Sequence, residues 1–428
     1  MNTPARNREP APEAEGAAPT RVLLIHHTID PNMLPVLTRL AASPGITLTV
    51  LFASRLPPHR QWPGELDGGL DYRILPSVQV NLGRRGAPMV LRANPTVLSE
   101  ISRARPDVVI STPFPSLTSL AALAACRLRH RPFILDIYTM GSPSLARRLL
   151  GPLLRGVVSR CEGFVAKSTR TVQYLRSLGA PADRISLSFQ AMDYVSLRAR
   201  SRLSPADKAV VRARHGIPDG KVVLYVGRLV ERKGLRVLLE AFKQVKRACP
   251  DAAIVLVGDG YQRAELEALV RREGLADVRF TGPIPYRELP PLYGLADLFV
   301  LPSIPAAVRV WGEEVWGFVV AEAVACGLPV VATDYVGGSD DLIRDGENGH
   351  VVAAGDVGQL ATAIRRILAD DALRARMGVA SERLAERFSY DGAAEGYCAA
   401  IRTALGRARG GGNVRSGQQR QPAVEGDP

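Results

Sequence analysis

Two acids eight residues apart, Glu314 and Glu322, stand in a run that carries no other charge: Glu314-Val-Trp-Gly-Phe-Val-Val-Ala-Glu322, continuing Ala-Val-Ala-Cys-Gly-Leu-Pro-Val-Val-Ala. A carboxylate buried in so apolar a stretch is costly unless it finds hydrogen-bonding partners. The spacing suggests what those partners are. Gly317 breaks the chain, and the apolar residues from Phe318 onward predict a helix. Glu322 then lies about one turn in, roughly 6 Å along the axis, and Glu314 lies on the loop before it. The free N–H groups of a helix start favour phosphate. Carboxylates flanking such a site can hold hydroxyl groups on either side of a phosphate, which is the outline of a sugar nucleotide.

A second constellation supplies the opposite charge. In Tyr225-Val-Gly227-Arg228-Leu-Val-Glu-Arg-Lys233-Gly234 a strand ends at Val226, the glycine permits a tight turn, and Arg228 and Lys233 emerge at the strand's carboxyl end. Ligands of open α/β sheets bind at that end. Arginine offers a fork to phosphate oxygens and lysine a point charge. The competing reading is an ordinary strand–helix loop with solvated charges. Val257-Gly-Asp-Gly260 is half of a G-x-G-x-x-G fingerprint, because residue 263 is Arg. It reads as a turn at a strand end, which disfavours an NAD-dependent oxidoreductase.

The elements that must position these residues alternate along the chain. Apolar runs at Val22–Ile25, Thr47–Phe52, Val108–Ile110, Phe133–Ile137 and Phe164–Ala166 form one series. Val222–Val226, Ile254–Val257, Val278–Thr281, Leu298–Leu301 and Val330–Thr333 form a second. They are continuous rather than alternating, as parallel strands covered on both faces require. Amphipathic stretches between them make the class α/β. We expect disordered tails at 1–20 and 409–428, an N-terminal Rossmann-like domain over 21–197 and a linker at 198–215. A C-terminal Rossmann-like domain then follows over 216–388. A helix over 389–408, capped by Ser389, closes the chain.

Composition excludes several classes. At 428 residues two domains are the expectation, and 46% hydrophobic with 23% charged residues suits a soluble globular protein. No apolar run approaches twenty residues, and Met1 to Thr20 has no secretory core. The five scattered cysteines show no metal-ligand or redox spacing, and the six histidines form no H-x-x-x-H pattern, so no metal site is expected and a reducing cytoplasm is. Only six of the 55 basic residues are lysine, so the net charge of +13 is read either as genome composition or as attraction to phosphates or anionic lipid. No nucleic-acid partner is expected. Between Arg127 and Arg160, seven Arg face one Asp, and Ser144–Ser159 alternates Leu or Val with Arg at roughly helical spacing. That stretch is either an exposed helix face or a contact with an anionic membrane at the cytoplasmic side.

Taken together, the motifs resemble the retaining glycosyltransferases of the GT-B type known as family 4. The resemblance rests on Val226-Gly-Arg-Leu with Lys233-Gly, Val257-Gly-Asp-Gly, Phe280-Thr-Gly, Asp297-Leu-Phe-Val-Leu-Pro-Ser303 and the Glu314–Glu322 segment. Gly337-Gly-Ser-x-Asp-Leu-Ile and Asp345-Gly-Glu-Asn-Gly349 follow in order, so that nearly all of 218–355 is covered. The resemblance implies two Rossmann-like domains facing across a central cleft. It implies transfer of a sugar from a nucleoside diphosphate sugar to a hydroxyl of a glycan, lipid-linked or small-molecule acceptor, without a metal or other cofactor. Gly227, Arg228 and Lys233 would serve the diphosphate, Phe318 and Val319 would offer N–H groups, and Glu322 would hold the ribose. Glu314 would hold the transferred sugar, and the loop after Gly282, with Ile284, would sit near the base. The closing helix would cross back onto the N-terminal domain.

Two positions depart from the pattern. The turn after the first strand, His26-His27-Thr-Ile-Asp-Pro-Asn32, has no glycine, and Tyr138 stands where the family carries a histidine, with Asp136 two residues before. Tyr138 and Asp136 are the catalytic candidates of this half, beside Glu314. Trp311 and Trp316 either wall the donor sugar or pack their loop. A non-catalytic nucleotide-sugar binder or partner subunit, and another GT-B enzyme such as a sugar-nucleotide epimerase or hydrolase, are the rival readings.

Overall fold

The computed structural model describes residues 18–30, 32–54, 69–81, 90–112, 116–138, 145–305 and 314–410. The two expected tails lie almost wholly outside these residues, as do Trp311 and most of the loop before Glu314. Fifteen strands are described: β1 Thr20–His26, β2 Ile46–Phe52, β3 Asp71–Ile74, β4 Val78–Asn81, β5 Val90–Ala93, β6 Val108–Ser111, β7 Phe133–Ile137, β8 Gly163–Ala166, β9 Ile185–Leu187, β10 Val222–Val226, β11 Ala253–Val257, β12 Val278–Gly282, β13 Leu298–Leu301, β14 Val330–Thr333 and β15 Gly349–Val352. They form a seven-stranded sheet in the order β3-β2-β1-β6-β7-β8-β9 and a six-stranded sheet in the order β12-β11-β10-β13-β14-β15. Every pair in these two sheets is parallel. Only β4 and β5 pair antiparallel, in a separate hairpin.

The order reverses beside β1 in one sheet and beside β10 in the other. These switch points open crevices at the carboxyl ends of the strands, and they place His26 and Gly227-Arg228 at the two crevices. The central strands are buried on both faces. In β1, Leu23 and Ile25 enter one core and Val22 and Leu24 the other. Ala393, Tyr397, Ala400, Ile401 and Ala404 of the helix Tyr390–Gly410 complete that second core, so the last helix among the described residues covers a face of the first sheet. Ser389 accepts from the Gly392 N–H at 3.1 Å at its start.

The stretch expected to be a linker is folded. Helices Tyr194–Ser201 and Pro205–His215 occupy it, the second opened by a capping box of Ser204 and Asp207. Both pack on the helix Pro290–Leu295 of the second domain. The fit is close: a Cβ on Gly294 would lie 1.8 Å from the Ser201 carbonyl oxygen. The chain therefore crosses between domains near 189–193, beside its return at Phe388, and the Met192 N–H donates to the Phe388 carbonyl at 3.0 Å. Polarity concealed this, because helices lying on a domain surface expose charged faces.

A polar clamp joins the domains elsewhere. The Thr169 N–H and hydroxyl donate to the two Asp341 oxygens at 2.9 and 2.5 Å. Arg170 forks onto Asp340 at 2.9 and 2.8 Å and donates to the Asp334 carbonyl at 2.8 Å. Bidentate pairing fixes orientation as well as contact, so this clamp sets how the two crevices face each other.

Candidate active site

Backbone turns assemble one wall at the carboxyl edge of the second sheet. The Gly227 N–H donates to Val257, the Leu229 N–H to Asp259 and the Gly258 N–H to Gly282, at 2.8 to 2.9 Å. A Cβ on Gly258 would lie 2.0 Å from the Gly227 carbonyl oxygen. The glycines of Val257-Gly-Asp-Gly260 thus serve close packing between neighbouring turns. Ile284, half-buried just beyond Gly282, packs on the domain core. The Tyr225 hydroxyl donates to the Arg228 carbonyl at 2.8 Å, while the Arg228 side chain stays exposed and pairs with no other described residue.

Five residues on, a 3-10 turn over Glu231–Lys233 ends at Gly234, whose φ of 67° is left-handed. A side chain there would strike the Pro302 carbonyl oxygen at 1.9 Å, so only glycine lets the turn approach β13. The turn delivers Lys233, 6% exposed, onto the carboxylate of Glu314, with Arg232 3.4 Å from the same oxygen. Burial pulls the Lys233 pKa down and the Glu314 charge opposes it. Glu314 is itself held by its backbone, whose carbonyl accepts from the Gly337 N–H at 2.6 Å. The two residues expected on different parts of a donor are direct partners.

The helix Phe318–Ala325 starts after Gly317, at φ 90°, with no side-chain cap. Its first internal bond runs from the Val320 N–H to the Gly317 carbonyl. The N–H groups of Phe318 and Val319 therefore have no acceptor among the described residues. One turn in, Glu322 is 7% exposed and accepts from the Tyr293 hydroxyl at 2.7 Å. Burial pushes its carboxyl up to about 7, against the pull of the Tyr293 bond.

A recess separates this helix start from the first domain. Asp30, Asn32, Met33, Tyr138, Lys167 and Phe318 are among its lining residues. Tyr138 faces it from the end of β7. Asp136 does not line it, which corrects the expectation that it acts on substrate. Asp136 is fully buried at the seam with the closing helix, where it accepts from the Tyr397 hydroxyl at 2.5 Å and lies 3.6 Å from the Lys167 ammonium. Lys167 in turn donates to the Tyr397 hydroxyl at 2.7 Å. Burial pushes the Asp136 pKa up and that of Lys167 down, and their mutual attraction opposes both. Trp316 is 2% exposed and packs against Phe189 and Phe388, so it belongs to the interdomain core. Among the described residues, no group of three His, Cys, Asp or Glu side chains is placed to hold a metal ion.

The two halves of the chain match two family models. Residues 207–383 match the one described as glycosyl transferases group 1, and residues 36–188 the one described as glycosyltransferase family 4. The chain is 32% identical over 304 residues to the 2-deoxystreptamine glucosyltransferase of Streptomyces kanamyceticus, a match that takes in 68% of this chain and 75% of that one. The chain belongs to the family 4, group 1 glycosyltransferases. It is 35% identical over 237 residues to the GDP-mannose-dependent alpha-(1-6)-phosphatidylinositol monomannoside mannosyltransferase of Mycolicibacterium smegmatis, across 55% of this chain. It spans 61% of that relative, less than two thirds of its length. The structure of Anabaena HepE in complex with UDP superposes with a TM-score of 0.67 at 20% identity, covering 89% of this chain and 99% of that one. The fold is GT-B, as the motifs implied.

Within this family 4 member, sequence reasoning missed Tyr293, Tyr286, Lys167 and Tyr397. Tyr293 is the partner of Glu322, and Tyr286, 50% exposed, has its hydroxyl pKa pushed up by burial and then by the Glu322 charge. Neither tyrosine differs in sequence from an ordinary helical aromatic. Lys167 did carry a signal. It is one of only six lysines and stands at the carboxyl end of the buried strand β8, the same signature that singled out Lys233.

Proposed function

We propose that this chain transfers a sugar from a nucleoside diphosphate sugar to a hydroxyl of a glycan, lipid-linked or small-molecule acceptor, with retention at the anomeric carbon and without a metal. The carrying observation is convergence. Lys233, the exposed Arg228, two uncapped helix N–H groups and the buried carboxylate of Glu322 all stand on the turns and the helix that follow β10 and β13 of the second sheet, and Phe318, at the start of that helix, lines a recess shared with the first domain. Arg228, Lys233 and the Phe318 and Val319 N–H groups spread the charge of the departing diphosphate, the work a cation does in other sites. Glu322 accepts from the ribose hydroxyls. Glu314 keeps Lys233 charged against burial and receives the hydroxyls of the transferred sugar. The relatives' names support a nucleotide-sugar donor and both lipid-linked and small-molecule acceptors as classes.

Glu314→Ala tests the division of roles. Turnover of a sugar nucleotide is expected to fall on the order of 10²-fold. Calorimetric affinity for UDP, GDP, ADP or dTDP is expected to fall less than turnover, because Arg228 and the two helix N–H groups still meet the diphosphate when Lys233 loses its partner. Unchanged turnover with collapsed nucleotide affinity would reverse the assignment, and transfer with inversion, seen by NMR of the product, would remove the retaining reading.

The helix Leu145–Val158 supports a contact at the cytoplasmic face of an anionic membrane. Leu150 and Leu153 are 43% and 54% exposed on it, beside exposed Arg155 and Arg160. Among the described residues no helix is long and apolar enough to cross a membrane. Co-sedimentation with phosphatidylglycerol vesicles at low salt is expected, weakening as salt rises. Absence of binding at low salt would remove the contact.

A further inference from the structure

Strand β1 ends in His26, a fully buried imidazole that the proposed chemistry leaves without a task. Its Nδ1 lies 2.7 Å from the Thr28 carbonyl oxygen and its Nε2 lies 3.2 Å from the Tyr138 hydroxyl. A carbonyl oxygen only accepts, so Nδ1 carries a proton. Burial, with His27 and Lys167 nearby, drives the ring pKa down to about 3, so the ring holds no second proton near neutrality. Nε2 is left as a bare lone pair, and the Tyr138 hydroxyl must donate to it. Two other groups compete for that proton: the Met33 sulfur at 3.9 Å is a far weaker acceptor, and the Tyr397 hydroxyl, within side-chain hydrogen-bonding range of Tyr138, already accepts from the Lys167 ammonium at 2.7 Å. Tyr397, packed on the same side, commits its own proton to Asp136.

We propose that His26 is a positioning residue that draws the Tyr138 proton away from the recess, so that Tyr138 meets substrate only as a hydrogen-bond acceptor and selects a hydroxyl group there. This rests on the reading of the recess as the seat of the transferred sugar and the acceptor hydroxyl. The polarity has a chemical consequence. An unanchored tyrosine could donate to a phosphate, carboxylate or carbonyl oxygen, whereas this one presents lone pairs alone. It holds a sugar or acceptor hydroxyl, and it places electron density rather than a proton beside a centre that becomes electron-poor as the diphosphate leaves.

The direct test is a long-range proton–nitrogen NMR correlation on the full chain labelled with 15N-histidine, with His26 assigned by its loss in His26→Gln. A protonated Nδ1 and an unprotonated Nε2 are expected from pH 6 to 8, with the Nε2 resonance shifting in Tyr138→Phe. A proton on Nε2, or a doubly protonated ring in that range, would overturn the proposal. The kinetic arm uses UDP-glucose and GDP-mannose, reading release of UDP or GDP. Tyr138→Phe and His26→Leu are each expected to lower kcat about tenfold, one hydrogen bond's worth. Affinity for UDP and GDP should not move, and the double variant should fall no further. His26→Gln keeps an oxygen for Tyr138 and an N–H for Thr28, so most of the rate should return; a loss equal to that of His26→Leu would count against the relay. If the wild-type chain bound no nucleoside diphosphate, the site reading would fail, while the NMR result would still decide the tautomer.

Discussion

Replacing Glu322 with glutamine is expected to weaken nucleoside diphosphate binding by roughly 10- to 100-fold, the worth of one or two charge-assisted hydrogen bonds. Glutamine keeps the shape and an acceptor for Tyr293 but loses the charge that two ribose hydroxyls would meet. The pH dependence separates this from a packing effect. The buried carboxyl has its pKa near 7, above the ordinary value of 4.5. The free folded chain therefore keeps this proton between about pH 4.5 and 7, where the unfolded chain has lost it. The stability contributed by this group is fully present below about 4.5, falls as the pH rises toward 7, and levels off above. Binding runs the other way. The ribose hydroxyls need the carboxylate as acceptor, so below pH 7 affinity falls by up to tenfold per unit as Glu322 takes its proton. The free nucleotide also titrates in this range, and the glutamine variant supplies the control. The ratio of wild-type to variant affinity is expected to be large at pH 8 and to shrink toward pH 5.5, measured by calorimetry in buffers of different ionisation enthalpy. A ratio that does not change with pH would mean that Glu322 is not the ribose acceptor.

How much of this was legible can be judged from particular elements. The ten apolar runs all became strands with boundaries moved by no more than two residues, because a strand covered on both faces must be apolar throughout, and that mark is local. The strands that escaped notice are β3, β9 and β15 at sheet edges and the hairpin β4-β5. Asp71-Tyr-Arg-Ile is mostly exposed and Ile185-Ser-Leu only half-buried, so neither carries the apolar run that burial imposes. The geometry at the carboxyl edge of the second sheet was readable because it follows from chain-local facts: a glycine at a strand end, a helix start after Gly317, a carboxylate one turn in. The other half was not. Asp136 was expected to face substrate, and nothing nearby in sequence reveals that Tyr397, 261 residues on, takes one of its oxygens. Likewise Lys233 and Glu314 were assigned to separate parts of a ligand, and only the loop closed at Gly234 brings them into contact.

Lys167→Met is expected to destabilise the fold by about 3 to 5 kcal/mol, because it leaves the Asp136 carboxylate buried without its cation. The lysine is 3% exposed, and its ammonium meets the Tyr397 hydroxyl at 2.7 Å, the Ser188 hydroxyl at 3.4 Å, Asp136 at 3.6 Å and the Tyr397 ring, whose centroid lies 4.1 Å away. Asp136 sits in β7, a strand buried at all five positions, and burial already raises its pKa. Without Lys167 the carboxyl is left with the Tyr397 hydroxyl alone and escapes its charge by taking up a proton. The folded pKa then rises further above the unfolded one, so the variant's stability is fully kept below the unfolded value and lost as the pH climbs through the folded value. The deficit against wild type is therefore expected to be larger at pH 8 than at pH 5, read from urea unfolding followed by circular dichroism. Adding Asp136→Asn to the variant removes the orphaned charge and keeps a group for Tyr397. The double variant is expected to recover a large part of the loss, and the two changes to be strongly non-additive. The pair ties β7 and β8 to Tyr397, on the helix that closes the chain, and Lys167 also stands 5.3 Å over the Tyr138 ring. Its removal should thus cost turnover beyond what the unfolded fraction explains. If the single variant were as stable as wild type at pH 8, the Asp136 carboxyl would have to be neutral in the native protein, and the ion pair would not be what fastens the helix to the sheet.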